Sequence, residues 1–122
     1  MFTKELNLML YVDDVVAERM FWSEAGFVIT SQSEMMGFET FDMKSHEDSS
    51  LTITVFAKAF IEQVSPEVVN NVPSVLFEVE NIGQIHEKIS DLTDTCSEIA
   101  EIPFKTFNFA SPSGIYFAVK GS

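Results

Sequence analysis

One short stretch of the chain occurs twice, at an offset of 67 residues. Residues 7–15 read NLMLYVDDV and residues 74–82 read SVLFEVENI. Each is a half-apolar, strand-like stretch that ends at an acidic or amide pair and then leads into a helix-like stretch. A repeat of this length indicates two copies of one supersecondary unit. We therefore expect a binding site between the two copies.

The first copy predicts a β-α-β-β-β order of elements. Residues 6–12 alternate with a period of two, which indicates a strand with one apolar face. Asp13 or Asp14 can cap the helix that follows, and Gly26 suits the left-handed residue that ends a helix. The apolar residues predicted for the buried side of this helix are Val16, Met20 and Phe21. The predicted elements are the helix over residues 15–25, strands over 27–30, 35–43 and 51–56, a short helix over 58–63 and a linker over 65–71.

The second copy predicts the same order, starting at Pro73. Asn81 is the predicted helix cap, and the apolar spacing from Ile82 to Leu92 is typical of an amphipathic helix packed on a sheet. The turn at residues 111–114 combines a Pro that fixes φ with a Gly that allows positive φ. The predicted strands of this copy cover residues 74–79, 95–101, 105–109 and 115–120.

Size and cysteine content indicate one cytoplasmic domain. With 122 residues, the chain is predicted to be a single domain over 1–122, built from modules 1–64 and 73–122. Cys96 is the single cysteine, so no internal disulfide is expected. No signal peptide precedes Leu6 and no apolar run approaches membrane-spanning length. We therefore expect a cytoplasmic protein with no membrane partner.

The charge balance limits the classes of partner. The chain has 19 Asp and Glu against 7 Lys and Arg, for a net charge of −12. Binding to nucleic acid depends on clusters of basic side chains, and none is present, so we expect no nucleic-acid partner. An anionic membrane surface would repel the chain. A cationic ligand would be attracted, although acidic charge also serves solubility alone.

The combined pattern resembles a known family. Besides the two modules, it has an aromatic pair (Phe21 and Trp22) before Gly26 and Phe27, and a closing stretch over residues 107–119 that reads FNFASPSGIYFAV. These features resemble the vicinal oxygen chelate superfamily, the glyoxalase / bleomycin resistance protein / extradiol dioxygenase group. The resemblance implies an α+β fold in which two βαβββ modules each form half of a cup-shaped sheet. Ser111 stands where the family's closing turn usually has Asp.

The resemblance also implies where metal enzymes of the family place their ligands. The corresponding positions are Asn7, Ser74, Ala118 and a fourth-strand residue near Thr52, with Thr54 as the alternative. First-row metal sites need imidazole or carboxylate ligands, which these residues do not supply. His46 falls in a predicted loop and His86 on a predicted helix, where we expect surface histidines. We therefore expect no metal, no cofactor, and neither lactoylglutathione lyase nor ring-cleaving dioxygenase activity.

The same positions predict the lining of the cup. Apolar walls with a few polar groups are typical of small-molecule sites. Glu78 either pairs with a ligand cation or is a solvated strand-end residue, and Trp22 either stacks on a ligand or packs between helix and sheet. The predicted ligand-binding residues are Asn7, Met9, Tyr11, Thr52, Thr54, Phe56, Ser74, Leu76, Glu78, Tyr116 and Ala118.

Three functions fit these expectations. The first is a metal-free small-molecule binding protein of the bleomycin-resistance type, which acts in antibiotic resistance by sequestering an aromatic or cationic compound as a homodimer. The second is a metal-independent lyase or isomerase that uses Glu78 with Tyr11 or Tyr116 as an acid–base pair. The third is an interaction module whose cup is filled by its own Phe and Met side chains.

Overall fold

The computed structural model describes all residues from Met1 to Ser122. The chain divides into two compact units, Met1–Pro73 and Ser74–Ser122. Both units are mixed α and β, and each contains one open sheet, with four strands in the first and three in the second. The α+β class that the resemblance implies is therefore confirmed.

The first unit has the predicted β-α-β-β-β order. Its strands lie side by side in the order β1-β4-β3-β2, with β1 parallel to β4 and the other neighbours antiparallel. Its elements are β1 (Asn7–Val12), α1 (Val15–Glu24), β2 (Val28–Met35), β3 (Phe38–Lys44), β4 (Thr52–Ala57), α2 (Lys58–Val64) and a 3-10 turn over Pro66–Val68.

Both ends of α1 are set by the residues that the sequence singles out. Of the two candidate caps, Asp14 is the one used, since its Oδ1 accepts the backbone N–H of Ala17 at 3.0 Å. Past the last turn, Gly26 takes a φ of 103°, in the left-handed region. The helix therefore ends where a residue without a Cβ follows.

The buried side of α1 agrees with the prediction at Phe21 but not at Val16 and Met20. Val16 and Met20 are exposed, whereas Val15, Glu18, Phe21 and Trp22 are buried. The indole of Trp22 donates its N–H to Glu18 Oε1 at 3.1 Å and packs against Phe21 and Phe27. Because this hydrogen bond satisfies both polar groups, a carboxylate and the largest aromatic side chain can occupy the core together. Of the two interpretations of Trp22, the structure supports packing.

The second unit repeats the central topology of the first. Its strands lie in the order β5-β7-β6, with β5 parallel to β7 and β6 antiparallel to β7. Asn81 caps its helix as Asp14 caps α1, accepting the N–H of Gln84 at 3.1 Å. The elements of this unit are β5 (Leu76–Val79), α3 (Ile82–Ser90), β6 (Thr106–Ala110) and β7 (Tyr116–Gly121).

The strand predicted over residues 95–101 is wrong. This segment runs beside β6 as irregular chain and makes one isolated β-bridge, between Ala100 and Thr106. Thr95 Oγ1 accepts the N–H of Ala110 at 2.7 Å, and Ser97 Oγ accepts the N–H of Asn108 at 2.9 Å. Side-chain hydroxyls thus take hydrogen bonds that a strand would make with its backbone, which is how Ser and Thr compete with regular structure.

Phenylalanines fill the core of the second unit, between the sheet and α3. The ring of Phe117 stacks on Phe77 at 5.9 Å and on Phe109 at 5.8 Å between centroids. His86, on α3 as predicted, meets the Phe107 ring edge to face and donates Nε2–H to the carbonyl of Ser97 at 2.8 Å. His86 is therefore a half-buried link between α3 and the irregular segment, rather than the surface histidine that the sequence predicts.

Candidate ligand-binding faces

Each sheet has one face covered by a helix of its own unit and an opposite face with polar and exposed side chains, which in the first sheet is covered by α2 at one end. In the first sheet, α1 packs against β2, β3 and β4, on the side where Phe41, Met43, Ile53 and Val55 are buried. The opposite side, here called the first-sheet face, carries six of the predicted site residues. These are Asn7, Met9, Tyr11, Thr52, Thr54 and Phe56.

Strand register places these residues in rows across the sheet. In β1 and β4, Asn7 is opposite Thr52, Met9 opposite Thr54, and Tyr11 opposite Phe56. The middle row continues onto the other two strands. Thr54 is opposite Asp42 on β3, and Asp42 is opposite Ser31 on β2. Residues paired across strands point to the same side, so Asp42 and Ser31 belong to the first-sheet face as well.

A chain of side-chain hydrogen bonds runs from Asn7 of the neighbouring row through Thr54, Asp42 and Ser31 of this row. Asn7 donates its amide N–H to Thr54 Oγ1 at 3.3 Å, and Thr54 donates its hydroxyl to Asp42 Oδ1 at 2.6 Å. From the other side, Ser31 donates its hydroxyl to Asp42 Oδ2 at 2.9 Å. Both carboxylate oxygens of the partly buried Asp42 are therefore held in place by neutral donors on the two flanking strands.

Aromatic side chains lie toward one end of the same face. Phe60 of α2 stacks on Phe56 at 5.6 Å and lies 6.0 Å from the Phe38 ring. Tyr11 is only 8% exposed, and its hydroxyl donates to Met9 Sδ at 3.9 Å. The first-sheet face thus grades from a hydrogen-bonded polar row to an aromatic end.

The second sheet presents a corresponding face, opposite its buried phenylalanines. Leu76 pairs with Ala118, and Glu78 pairs with Lys120. Leu76 is 50% exposed and Tyr116 is 61% exposed. Ser74, which the sequence places in this strand, is exposed and precedes β5, outside the paired ladder. The second-sheet face therefore carries Leu76, Glu78, Tyr116 and Ala118.

Charge on the second-sheet face is balanced locally. Glu78 is exposed and has Lys120 directly across the strand pair. The Lys120 ammonium lies 5.6 Å from the centre of the Phe104 ring, within cation–π range. Tyr116 is four residues from Lys120 on the same strand, so it lies about 13 Å from Glu78 along the sheet. These two side chains do not form an acid–base pair around one small group.

The register also relates the two faces residue by residue. Met9 and Leu76 correspond in the sequence repeat, and their partners across the parallel pairs are Thr54 and Ala118. Of the two candidates for the fourth-strand position, Thr52 and Thr54, it is therefore Thr54 that corresponds to Ala118 in the second module. By the same logic Asn108, which pairs with Ala118, is the counterpart of Asp42.

Sequence reasoning missed both Asp42 and Asn108. A signal for each was present, because both are polar residues between two large apolar ones in a predicted strand. Asp42 lies between Phe41 and Met43, and Asn108 lies between Phe107 and Phe109. Such alternation puts the polar side chain on the face opposite the core.

The side chains at the metal-ligand positions of the family do not fit a first-row metal ion. Asn7 and Thr54 in the first sheet, and Ser74 and Ala118 in the second unit, supply neither imidazole nor carboxylate. Asp42 adds one carboxylate. No group of three or more His, Cys, Asp and Glu side chains has a geometry that could hold a metal ion. His46 lies in an exposed loop, where its Nδ1 accepts the N–H of Asp48.

Cys96 is half-buried, away from both faces in the irregular segment. Burial raises the pKa of its thiol above the ordinary value, and a hydrogen bond with the Ser90 side chain opposes that effect in part. A raised pKa lowers the thiolate fraction at neutral pH, and the thiolate is the nucleophilic form. This agrees with Cys96 as an inert packing residue.

Solved structures with the same fold support the resemblance seen in the sequence. TnmS3, an antibiotic binding protein from Streptomyces sp. CB03234, is similar over 99% of this chain and 96% of its own, with a TM-score of 0.74 and 9% identity. A glyoxylase/bleomycin resistance protein/dioxygenase domain from Frankia sp. EAN1pec is similar over 100% and 99%, with a TM-score of 0.71 and 11% identity. A bleomycin-binding protein in complex with bleomycin is similar over 98% and 99%, with a TM-score of 0.66 and 13% identity.

The chain has the glyoxalase/bleomycin resistance protein/dioxygenase fold, as these structures show. No family model and no curated protein matches the sequence itself. None of the helices combines the length and apolar character needed to cross a membrane.

Proposed function

We propose that this chain binds small organic molecules without a metal ion, holding them against the exposed faces of its two sheets. The row of side chains across the first sheet carries the proposal. In that row Met9, which is 44% exposed, lies beside the hydrogen-bonded Thr54 and Asp42. Apolar area next to a few fixed polar groups is the combination that binds and orients small molecules.

The structural relatives support a role in sequestration. TnmS3 is an antibiotic binding protein, and another relative binds bleomycin. We extend to this chain the same kind of activity, in which a toxic compound is bound and withheld from its target in the cytoplasm. Binding of this kind needs no reacting group. It is compatible with the distance between Glu78 and Tyr116, which disfavours an acid–base pair of these two residues.

We also propose that the protein is a homodimer. Strand β2 lies at an edge of the first sheet, and every residue of it except Ile29 is exposed. Glu34 is its only charged residue, and it contains no Pro or Lys. An edge strand with so little protection pairs readily with another strand. Light scattering during gel filtration tests this, with twice the chain mass of 13.7 kDa as the expected result.

The binding proposal is tested by amide NMR spectra during titration with a panel of aromatic compounds. We expect shift changes to concentrate at Met9, Thr54, Leu76 and Ala118 on the two exposed faces. Amides of α3, which packs on the opposite side of the second sheet, are the internal control. If no compound of the panel binds saturably, or if the shift changes are confined to α3, the proposal is contradicted. Either result would favour the third function, an interaction module whose apolar side chains pack in its own core or against a protein partner.

A further inference from the structure

We propose that Asp42 anchors the positively charged group of the ligand, and that the ligand is an organic monocation whose flat apolar part extends from Asp42 toward Phe56. This inference rests on the proposed function, and it names the chemical class of the bound molecule. It also assigns the charge recognition to a residue on the first sheet, whereas the sequence pattern favoured Glu78 for that role.

The first support is the set of partners around Asp42. Each carboxylate oxygen accepts one hydrogen bond, from Thr54 at 2.6 Å and from Ser31 at 2.9 Å. A carboxylate has about four acceptor positions, so acceptor capacity remains on both oxygens. Both donors are neutral, and they hold the group in place without neutralising its charge.

The second support is that no cation of the protein pairs with Asp42. The ion pairs of the structure are Arg19 with Glu39, Lys58 with Asp13, and His46 with Asp48. Lys44 lies two residues further along β3 on the same face, and it forms no ion pair with Asp42 or any other carboxylate. A partly buried charge without a counter-ion is costly to desolvate. A ligand cation would supply the missing opposite charge.

The third support is the distance from this charge to an aromatic surface. Thr54 is directly opposite Asp42, and Phe56 is two residues along β4 on the same face. Two residues of strand span about 7 Å. Phe56 is stacked on Phe60, which fixes its position. A ligand with a charged group roughly 7 Å from the middle of a flat ring system would reach both. The net charge of −12 favours the approach of a cation.

The experiment uses three naphthalene compounds that differ in charge. These are 2-(2-naphthyl)ethylamine, which is cationic at pH 7.5, neutral 2-(2-naphthyl)ethanol and anionic 2-naphthylacetate. Dissociation constants are measured by amide NMR titration of the full chain at low salt. We expect the cation to bind at least tenfold more tightly than the alcohol, and the anion to bind most weakly. Added salt should reduce the differences in dissociation constant among the three compounds, because it screens partly exposed charges.

Two variants locate the effect. Asp42→Asn keeps the shape and one of the two acceptor oxygens but removes the charge, and we expect it to weaken cation binding about tenfold and alcohol binding much less. Glu34→Gln makes the same change in net charge at an exposed position of β2. Glu34 is the cross-strand partner of Glu39, so its side chain lies on the face of the sheet opposite to Asp42. We expect this variant to change cation binding less than twofold. The comparison of the three compounds on the unmodified protein does not depend on either variant folding.

The outcomes separate this inference from the proposed function. If all three naphthalenes bind equally well and Asp42→Asn changes nothing, the cation anchor is wrong while the binding function stands. If the anion binds best, Lys44 rather than Asp42 sets the charge preference and the inference is overturned. If no compound binds this face, the inference and the proposed function both fail.

Discussion

Trp22 and Glu18 lie one turn apart on α1, both fully buried, with the indole N–H 3.1 Å from Glu18 Oε1. A carboxylate is rarely found at such a position unless its oxygens have partners. The pair links the helix to the core of the first unit, since Trp22 also packs against Phe21 and Phe27.

The first prediction concerns this pair. We expect Glu18→Ala to lower the free energy of unfolding by about 2–4 kcal/mol, because it leaves the indole N–H unsatisfied and opens a cavity. Glu18→Gln keeps an acceptor of the same size and should cost clearly less. Urea denaturation followed by Trp22 fluorescence measures both. Equal losses for the two variants would contradict a role for the hydrogen bond.

The second prediction concerns the hairpin between β2 and β3. Met36 has a φ of 52° and is 68% exposed, and Gly37 follows with a φ of 83°. A left-handed conformation costs roughly 1 kcal/mol for a residue such as Met and less for Asn or Gly. We therefore expect Met36→Asn to raise the melting temperature by several degrees.

Met35 is the control for the rise in melting temperature expected of Met36→Asn. Met35 is equally apolar and exposed, but it lies within β2, paired with Phe38. Met35→Asn should lower the melting temperature or leave it unchanged, because Asn is a poor strand residue. A similar rise for both variants would mean that loss of exposed apolar surface, rather than relief of backbone strain, is the cause.

The repeat carried most of what could be predicted about the fold. It predicted the helix cap at Asn81 and the order of elements in the first unit, while the α+β class came from the family resemblance. These features depend on local signals, such as an acidic or amide residue after an alternating stretch, which act within a few residues of the chain. The repeat did not predict strand pairing, but it makes the parallel pair β5–β7 the counterpart of β1–β4.

The errors arose where tertiary contacts override local pattern. Val16 and Met20 have helical spacing, yet the buried stripe of α1 includes Glu18, because a hydrogen bond to Trp22 makes that carboxylate compatible with the core. The segment 95–101 has strand-like composition, but Thr95 and Ser97 bond to β6 through their hydroxyls. Asp42 was missed because its partners, Ser31 and Thr54, are distant in sequence and come together only when the strands pair.

The third prediction tests the close approach of two strands in the second sheet. Gly121 pairs with Val79 at the end of the parallel β5–β7 ladder, and a Cβ at this position would collide with the Val79 carbonyl oxygen. We expect Gly121→Ala to destabilise the protein by about 1–3 kcal/mol, the usual cost of forcing extra volume into a packed site. Chemical denaturation curves give the value.

Gly83 offers a matched control for the added methyl group. It lies in the first turn of α3, where a Cβ would have only Asn81 Oδ1 nearby, at 3.7 Å. Gly83→Ala should leave stability unchanged or raise it by up to about 1 kcal/mol, because Ala favours helix more than Gly does. If Gly121→Ala is as well tolerated as Gly83→Ala, β5 and β7 do not approach each other as closely as described.

The fourth prediction concerns the hydroxyl that replaces a strand hydrogen bond. Thr95 Oγ1 accepts the N–H of Ala110 at 2.7 Å and donates to the carbonyl of the same residue at 3.3 Å. Thr95→Val keeps the shape but removes both bonds and the contact of its hydroxyl with Thr93 Oγ1 at 2.8 Å, and the N–H of Ala110, a buried residue, loses its acceptor. We expect a loss of about 1–3 kcal/mol in unfolding free energy. Faster hydrogen exchange at the Ala110 amide should accompany it.

Ser111, the next residue after Ala110, provides the comparison. Its Oγ is buried and has no hydrogen-bond partner. An unpaired buried hydroxyl does not stabilise the fold, so Ser111→Ala should leave the unfolding free energy unchanged or raise it by about 1 kcal/mol. The two variants therefore remove a hydroxyl from nearby positions with opposite expected signs. Should Thr95→Val prove as harmless as Ser111→Ala, the hydroxyl of Thr95 is not what holds the irregular segment against β6.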